Sequence, residues 1–168
     1  RINLQITTGS HGLLSGGSVG TLTHRPTRWN VVIGNGMLSS NSTSYGNFNT
    51  LIGNMTMSGH ASGTGSNGYS IGENNTTTGH KAMFKSVGSS NNSVFGTNAL
   101  HDNINGSNNA VFGQSAGYYM NSGGENVYIG SYAGYGWENA STQGKNNRCT
   151  FIGTLAGQAA TGGNGTES

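Results

Sequence analysis

Asn109-Ala-Val-Phe-Gly-Gln-Ser-Ala-Gly117 decides the fold, because it is one of seven versions of a single phrase spread between Asn30 and Gly157. Its clearest relatives are Asn92-Ser-Val-Phe-Gly-Thr-Asn-Ala-Leu100, Asn126-Val-Tyr-Ile-Gly-Ser-Tyr-Ala-Gly134 and Cys149-Thr-Phe-Ile-Gly-Thr-Leu-Ala-Gly157. Looser versions are Asn30-Val-Val-Ile-Gly-Asn-Gly-Met-Leu38, Asn49-Thr-Leu-Ile-Gly-Asn-Met-Thr-Met57 and Gly68-Tyr-Ser-Ile-Gly-Glu-Asn-Asn-Thr76. Aligned on the glycine after Ile or Phe, the anchors are Gly34, Gly53, Gly72, Gly96, Gly113, Gly130 and Gly153, spaced 19, 19, 24, 17, 17 and 23 residues apart. A near-constant period with variable insertions is expected of stacked supersecondary units, one rung per repeat, with the insertions looping out.

Within a repeat, β-branched or aromatic residues such as Val31-Val32-Ile33 precede the glycine and read as a short strand. The glycine marks a corner where a Cβ would obstruct the neighbouring backbone. The downstream pairs Ala99-Leu100, Ala116-Gly117, Ala133-Gly134 and Ala156-Gly157 supply a second contact of mostly small residues on the same rung. The residues directly before the anchors, Ile33, Ile52, Ile71, Phe95, Phe112, Ile129 and Ile152, are all large and apolar, and the expectation is that they face the core. Two before the anchor, Val32, Leu51, Ser70, Val94, Val111, Tyr128 and Phe151 point the other way and are apolar in six of seven cases. A strand apolar on both faces is buried on both, so the second face is expected to meet another copy of the chain around an axis along the stack.

Composition agrees with a stack of short strands and sharp corners. Of 168 residues only 32% are hydrophobic and 7% charged, the net charge is +2, and there are 31 glycines with one proline. That is too little apolar surface for an ordinary globule and too little charge for a disordered chain. Collagen is excluded by the absence of a Gly-X-Y frame. The four arginines Arg1, Arg25, Arg28 and Arg148 are scattered, so nucleic acid is not an expected partner. No apolar run of about 18 to 20 residues predicts a membrane span, and no signal peptide opens the chain. Cys149 is alone, so no internal disulfide framework is expected. A chain opening on Arg1 is expected to be a piece of something longer. Residues 1–28 lack the repeat and read as an entry segment, 29–157 as the repeat body, and 158–168 as a flexible glycine-rich tail.

The phrases Asn109 to Gly117 and Asn126 to Gly134 resemble the Asn-x-Ala-Ile-Gly-x-x-Ala-Gly repeats of bacteriophage tail fibres, and less closely the head repeats of trimeric autotransporter adhesins. The resemblance spans Asn30 to Gly157. It implies an all-β, β-helix or β-roll-like homotrimer of stacked rungs with long Gly/Asn/Ser loops. Its surface would bind a host receptor, either a surface glycan or an outer-membrane protein. On that reading the chain is a structural and receptor-binding region of a tail fibre in the virion, joined to the rest of the fibre at its N-terminal side. It acts by adhesion, not catalysis, and needs no cofactor. The alternatives are a trimeric adhesin on a bacterial cell surface and a tailspike that degrades envelope polysaccharide. The resemblance also implies a C-terminal intramolecular chaperone that aligns three chains and cuts itself off after a serine, and Ser168 stands where that cut would fall.

Candidate sites follow from residue type. Tyr118, Tyr119, Tyr132, Tyr135 and Trp137 crowd into twenty residues with core-placed Tyr128, and aromatics interleaved with Asn, Ser and Gly suit sugar faces. His60 and His80 fall seven and eight residues after Gly53 and Gly72; facing an axis, they would form imidazole rings able to hold an ion. The sequence does not say whether a metal is bound. Polysaccharide hydrolysis would need facing carboxylates, and the near-pairs on offer are Glu125 with Glu138 and Glu73 with Asp102. Five acids scattered over such a chain produce near-pairs by chance.

Overall fold

The computed structural model describes residues 21–25, 28–35, 46–57, 72–136 and 147–158. Among these there is no helix. Eight strands lie side by side in chain order: β1 (Thr21–Arg25), β2 (Arg28–Asn35), β3 (Thr50–Asn54), β4 (Thr76–Thr78), β5 (Ser93–Phe95), β6 (Ala110–Phe112), β7 (Val127–Ile129) and β8 (Thr150–Ile152). β1 pairs antiparallel with β2, and every later pair is parallel. A parallel pair needs a crossover between its strands, and from β4 to β7 each crossover is the remainder of one rung, so the chain climbs as a β-solenoid. β2 begins at Arg28, so the hairpin it makes with β1 straddles the boundary expected between entry segment and repeat body.

Register places Gly34 on Gly53, and Val94 between Thr77 and Val111. The third rung is therefore not the one read from Gly72. Its strand is Thr76–Thr78 and its anchor is Gly79, while Gly72 sits at the preceding corner, where its carbonyl accepts a hydrogen bond from Asn49 Nδ2. The anchors Gly34, Gly53, Gly79, Gly96, Gly113, Gly130 and Gly153 share φ between 125° and 146°. A Cβ on Gly113 would fall on the carbonyl oxygen of Gly130 one rung on, and the same holds for Gly79 against Gly96 and Gly96 against Gly113. Only glycine allows both the dihedral and the approach.

Six of the seven rungs open on an asparagine four residues before the anchor, and Cys149 stands at that place before Gly153. Asn30, Asn49, Asn75, Asn92, Asn109 and Asn126 are all buried and form a continuous ladder. Each Oδ1 from Asn30 to Asn126 accepts the backbone N–H that opens the next rung, at 2.7 to 3.0 Å, ending with Cys149 N–H on Asn126. From Asn75 to Asn126 the Nδ2 also donates to the Oδ1 of the preceding asparagine, at 3.0 to 3.1 Å. A second Nδ2 hydrogen bond goes to a corner carbonyl: Asn75 to Ser89, Asn92 to Gly106, Asn109 to Gly123. Fully satisfied polar chains of this kind strengthen one another and fix register in an interior poor in apolar residues.

The two faces of the strands are the reverse of the sequence expectation. Because strand side chains alternate, the residue two before the anchor shares the inward face with the asparagine four before it. Val32, Leu51, Thr77, Val94, Val111 and Tyr128 are buried, with Phe151 packed against them. The residues directly before the anchors, Ile33, Ile52, Phe95, Phe112, Ile129 and Ile152, point outward and are 36% (Phe95) to 66% (Ile152) exposed. Ile71 lies outside the described residues.

Candidate aromatic site

After the anchor glycine the chain makes two left-handed corners, at the second residue (Lys81, Asn98, Ser115, Tyr132) and the fourth (Met83, Leu100, Gly117, Gly134). The residue between them is Ala82, Ala99, Ala116 or Ala133, buried in each of these four rungs. The fifth residue then emerges at the same place on successive rungs and builds a column: Phe84, His101, Tyr118 and Tyr135. Phe84 and His101 stack with ring centres 5.0 Å apart, and His101 and Tyr118 at 4.5 Å with planes 5° from parallel. Those spacings are close to the rise between strands, so the rings in the lower column cover one another's faces.

The column changes character at its upper end. Tyr135 is tilted 45° from Tyr118 at 5.4 Å. Tyr119 meets Tyr118 and Tyr135 edge-on, and Tyr132 meets Tyr135 edge-on at 5.0 Å. The next rung offers exposed Gln158 at the fifth position, so among the described residues no ring continues the stack beyond Tyr135. Four of the five aromatic residues read from the sequence as a receptor site, Tyr118, Tyr119, Tyr132 and Tyr135, are thus brought into one half-buried cluster. Trp137 lies outside the described residues.

Charge enters the column at its lower end. Asp102 accepts hydrogen bonds from Lys85 Nζ at 3.0 Å and from His101 Nδ1. Burial pushes the Asp102 carboxyl up, but the His101 and Lys85 hydrogen bonds and charges outweigh it and hold the group below its ordinary value. Burial and the Asp102 charge push the Tyr118 phenol up, so it stays a neutral donor and acceptor. Lys81 Nζ lies 5.5 Å from the centre of the Phe84 ring, a cation over a π face. Sequence reasoning missed Phe84, Lys85 and His101, and offered Asp102 only as a partner of Glu73. The signal was there, since 84, 101, 118 and 135 are each 17 residues apart, the rung length itself.

The other candidates do not converge. His80 is exposed and stands directly after anchor Gly79, so it is not equivalent to the place seven residues after Gly53; His60 and Ser168 lie outside the described residues. No group of three metal-ligating side chains occurs among the described residues. Glu73 accepts from Asn47 at the corner before β4, and Glu125 pairs with Arg148 at the equivalent corner before β7 and β8. Asp102 stands on a different corner with its own partners, so Glu73 and Asp102 do not pair; Glu138 lies outside the described residues. Among the described residues the aromatic cluster therefore offers ring edges, one uncovered ring end and phenol hydroxyls, with a single carboxylate already neutralised beside it. Comparison of the chain with protein-family models, with curated proteins and with solved structures gives no match.

Proposed function

We propose that this chain is a structural and receptor-binding region of a homotrimeric attachment fibre of the phage-tail type, and that its tyrosine cluster contacts a host surface glycan. The observation that carries the reading is the end of the aromatic column: four tyrosines gathered on two adjacent rungs, held by a backbone that cross-braces every repeat. Such a surface presents apolar plates with hydroxyl donors beside them, on a support that loses little entropy when a sugar docks. Adhesion is favoured over hydrolysis because the carboxylates among the described residues, Asp102, Glu73 and Glu125, each have a separate partner.

Binding of purified chain to host envelope polysaccharide, followed by tyrosine fluorescence, tests the proposal. Tyr135→Ala and Tyr119→Ala are expected to weaken binding at least tenfold with unchanged far-UV circular dichroism. Undiminished binding in both variants, or release of oligosaccharide by the wild-type chain, would overturn it.

A further inference from the structure

The outward face of the sheet is a surface that the described residues leave uncovered. Ile33, Ile52, Phe95, Phe112, Ile129 and Ile152 form one column along it, interrupted only by Thr78 on the third rung. Phe95 and Phe112 stack with ring centres 4.9 Å apart and planes 8° from parallel, which holds the column straight. The neighbouring outward column, two residues earlier on each strand, is Val31, Thr50, Thr76, Ser93, Ala110, Val127 and Thr150. Neither column contains a charge in any of its seven rungs. At the exposures given above the large residues show roughly 500 Å² of apolar surface, at the upper end of what a monomer displays.

We infer that this face packs against the same face of further copies of the chain, so that the residues directly before the anchor glycines are the seam of the assembly. The inference rests on the oligomeric reading above and assigns its interface. Three observations select a second copy as the occupant. Strands follow one another at the spacing of a β-ladder, about 4.8 Å, and only a partner with the same rise stays in register with the outward column over seven rungs. A face without charge offers nothing to an ionic partner, but it is complementary to itself. The apolar column supplies more than half of the about 800 Å² per partner that a stable interface buries, and the small and hydroxyl-bearing column beside it allows close approach for the remainder. An added peptide strand would use sheet edges, whereas the uncovered surface here is a face.

Sedimentation equilibrium of the wild-type chain, Phe112→Glu and Phe95→Glu at micromolar concentration tests the seam. Both side chains point away from the core, so each variant is expected to keep its β circular-dichroism signal and to sediment as a monomer, while the wild type sediments as an oligomer. A second variant, Phe112→Cys with Cys149→Ser, covers the case in which the charge prevents folding. Copies stacked in register bring two of the new thiols together, and mild oxidation is expected to give a disulfide-linked dimer. A wild-type oligomer that survives both Glu substitutions, or gives no cross-link, overturns the seam and leaves the glycan reading standing. A monomeric wild-type chain overturns it as well, whichever other ligand covers the face. Loss of glycan binding in Tyr135→Ala with the oligomer intact keeps the two claims separable.

Discussion

The lower and upper halves of the stack fill the same cross-section in opposite ways. In the lower rungs the strand contributes a residue of modest size, Leu51, Thr77 or Val94, and the second left-handed corner contributes a large one, Met57, Met83 or Leu100. In the upper rungs the strand contributes a ring, Tyr128 or Phe151, stacked at 5.6 Å, and the corner shrinks to Gly134 or Gly157, while the rung between the halves pairs Val111 with Gly117. The exchange is geometrically required: a Cβ on Gly117 would lie 2.9 Å from the Tyr128 ring, and one on Gly134 would lie 2.7 Å from it. The Tyr128 hydroxyl then needs a partner, and donates to Met120 Sδ at 3.3 Å. The Tyr128 ring thus fills the space left by the glycine corners of its own rung and of the rung before it, with the glycine anchors and the asparagine ladder common to both halves.

The shared frame should break first. Gly113→Ala, at the junction of the halves, drives a Cβ into the Gly130 carbonyl at a φ of 138°. It is expected to cost about 4 kcal/mol or more, read as loss of the cooperative thermal transition; a shift of only a few degrees in Tm would show that the rungs can separate locally. Asn109→Leu comes next. It removes the acceptor of the Asn126 N–H and Nδ2 and the donor to the Gly123 carbonyl, leaving buried polar groups unpaired. A loss of roughly 3 kcal/mol is expected in urea unfolding.

The volume exchange itself is tested by Gly134→Ala. It should destabilise by about 2 kcal/mol, from overlap with Tyr128 and from a left-handed φ of 61°. In a Tyr128→Val background, which restores the lower-half pattern, the same substitution should cost at most half as much. An unchanged cost would mean that the backbone dihedral alone demands glycine there, and that the two halves are not volume-matched. Thr77→Val completes the lower-half column between Leu51 and Val94. Its hydroxyl is buried without a partner, so the valine chain is expected to gain about 1 kcal/mol, and a loss would point to a hydrogen bond made by that hydroxyl.

The smallest effect is acid dependence at the side of the column. Asp102 has its carboxyl held below the ordinary 3.8, so on acidification the unfolded chain takes up the proton first. The contribution of Asp102 to stability is therefore complete above that ordinary value and fades as pH falls through the lower, folded one. Unfolding measured from pH 7 down to pH 3 should show Asp102→Asn losing part of the acid slope of the wild type. Identical slopes would detach the Lys85, His101 and Asp102 group from folding.

The repeat was legible in the sequence because both of its markers are obligatory: a corner that admits no Cβ must be glycine, and the strand before it must be β-branched or aromatic on most rungs. That determined an all-β stack and the place of six anchors, and it gathered the tyrosines into one stretch. The third rung was misplaced because Ser70-Ile71-Gly72 imitates a strand and anchor, while the true strand, Thr76–Thr78, carries no apolar residue. The surer mark was an asparagine four residues before a glycine, present at Asn75 and Gly79 as at Asn92 and Gly96. Its purpose is visible only when side chains from successive rungs meet. Tertiary structure alone decided which strand face is inside. Both faces are apolar, so hydrophobicity could not choose between them, and the choice was made by the asparagine ladder, whose buried hydrogen bonds draw every second strand residue to its own side and leave Phe95, Phe112 and their column facing out. The aromatic column likewise exists only once the rungs are stacked, because residues 17 apart become neighbours through the strand spacing and not through the chain.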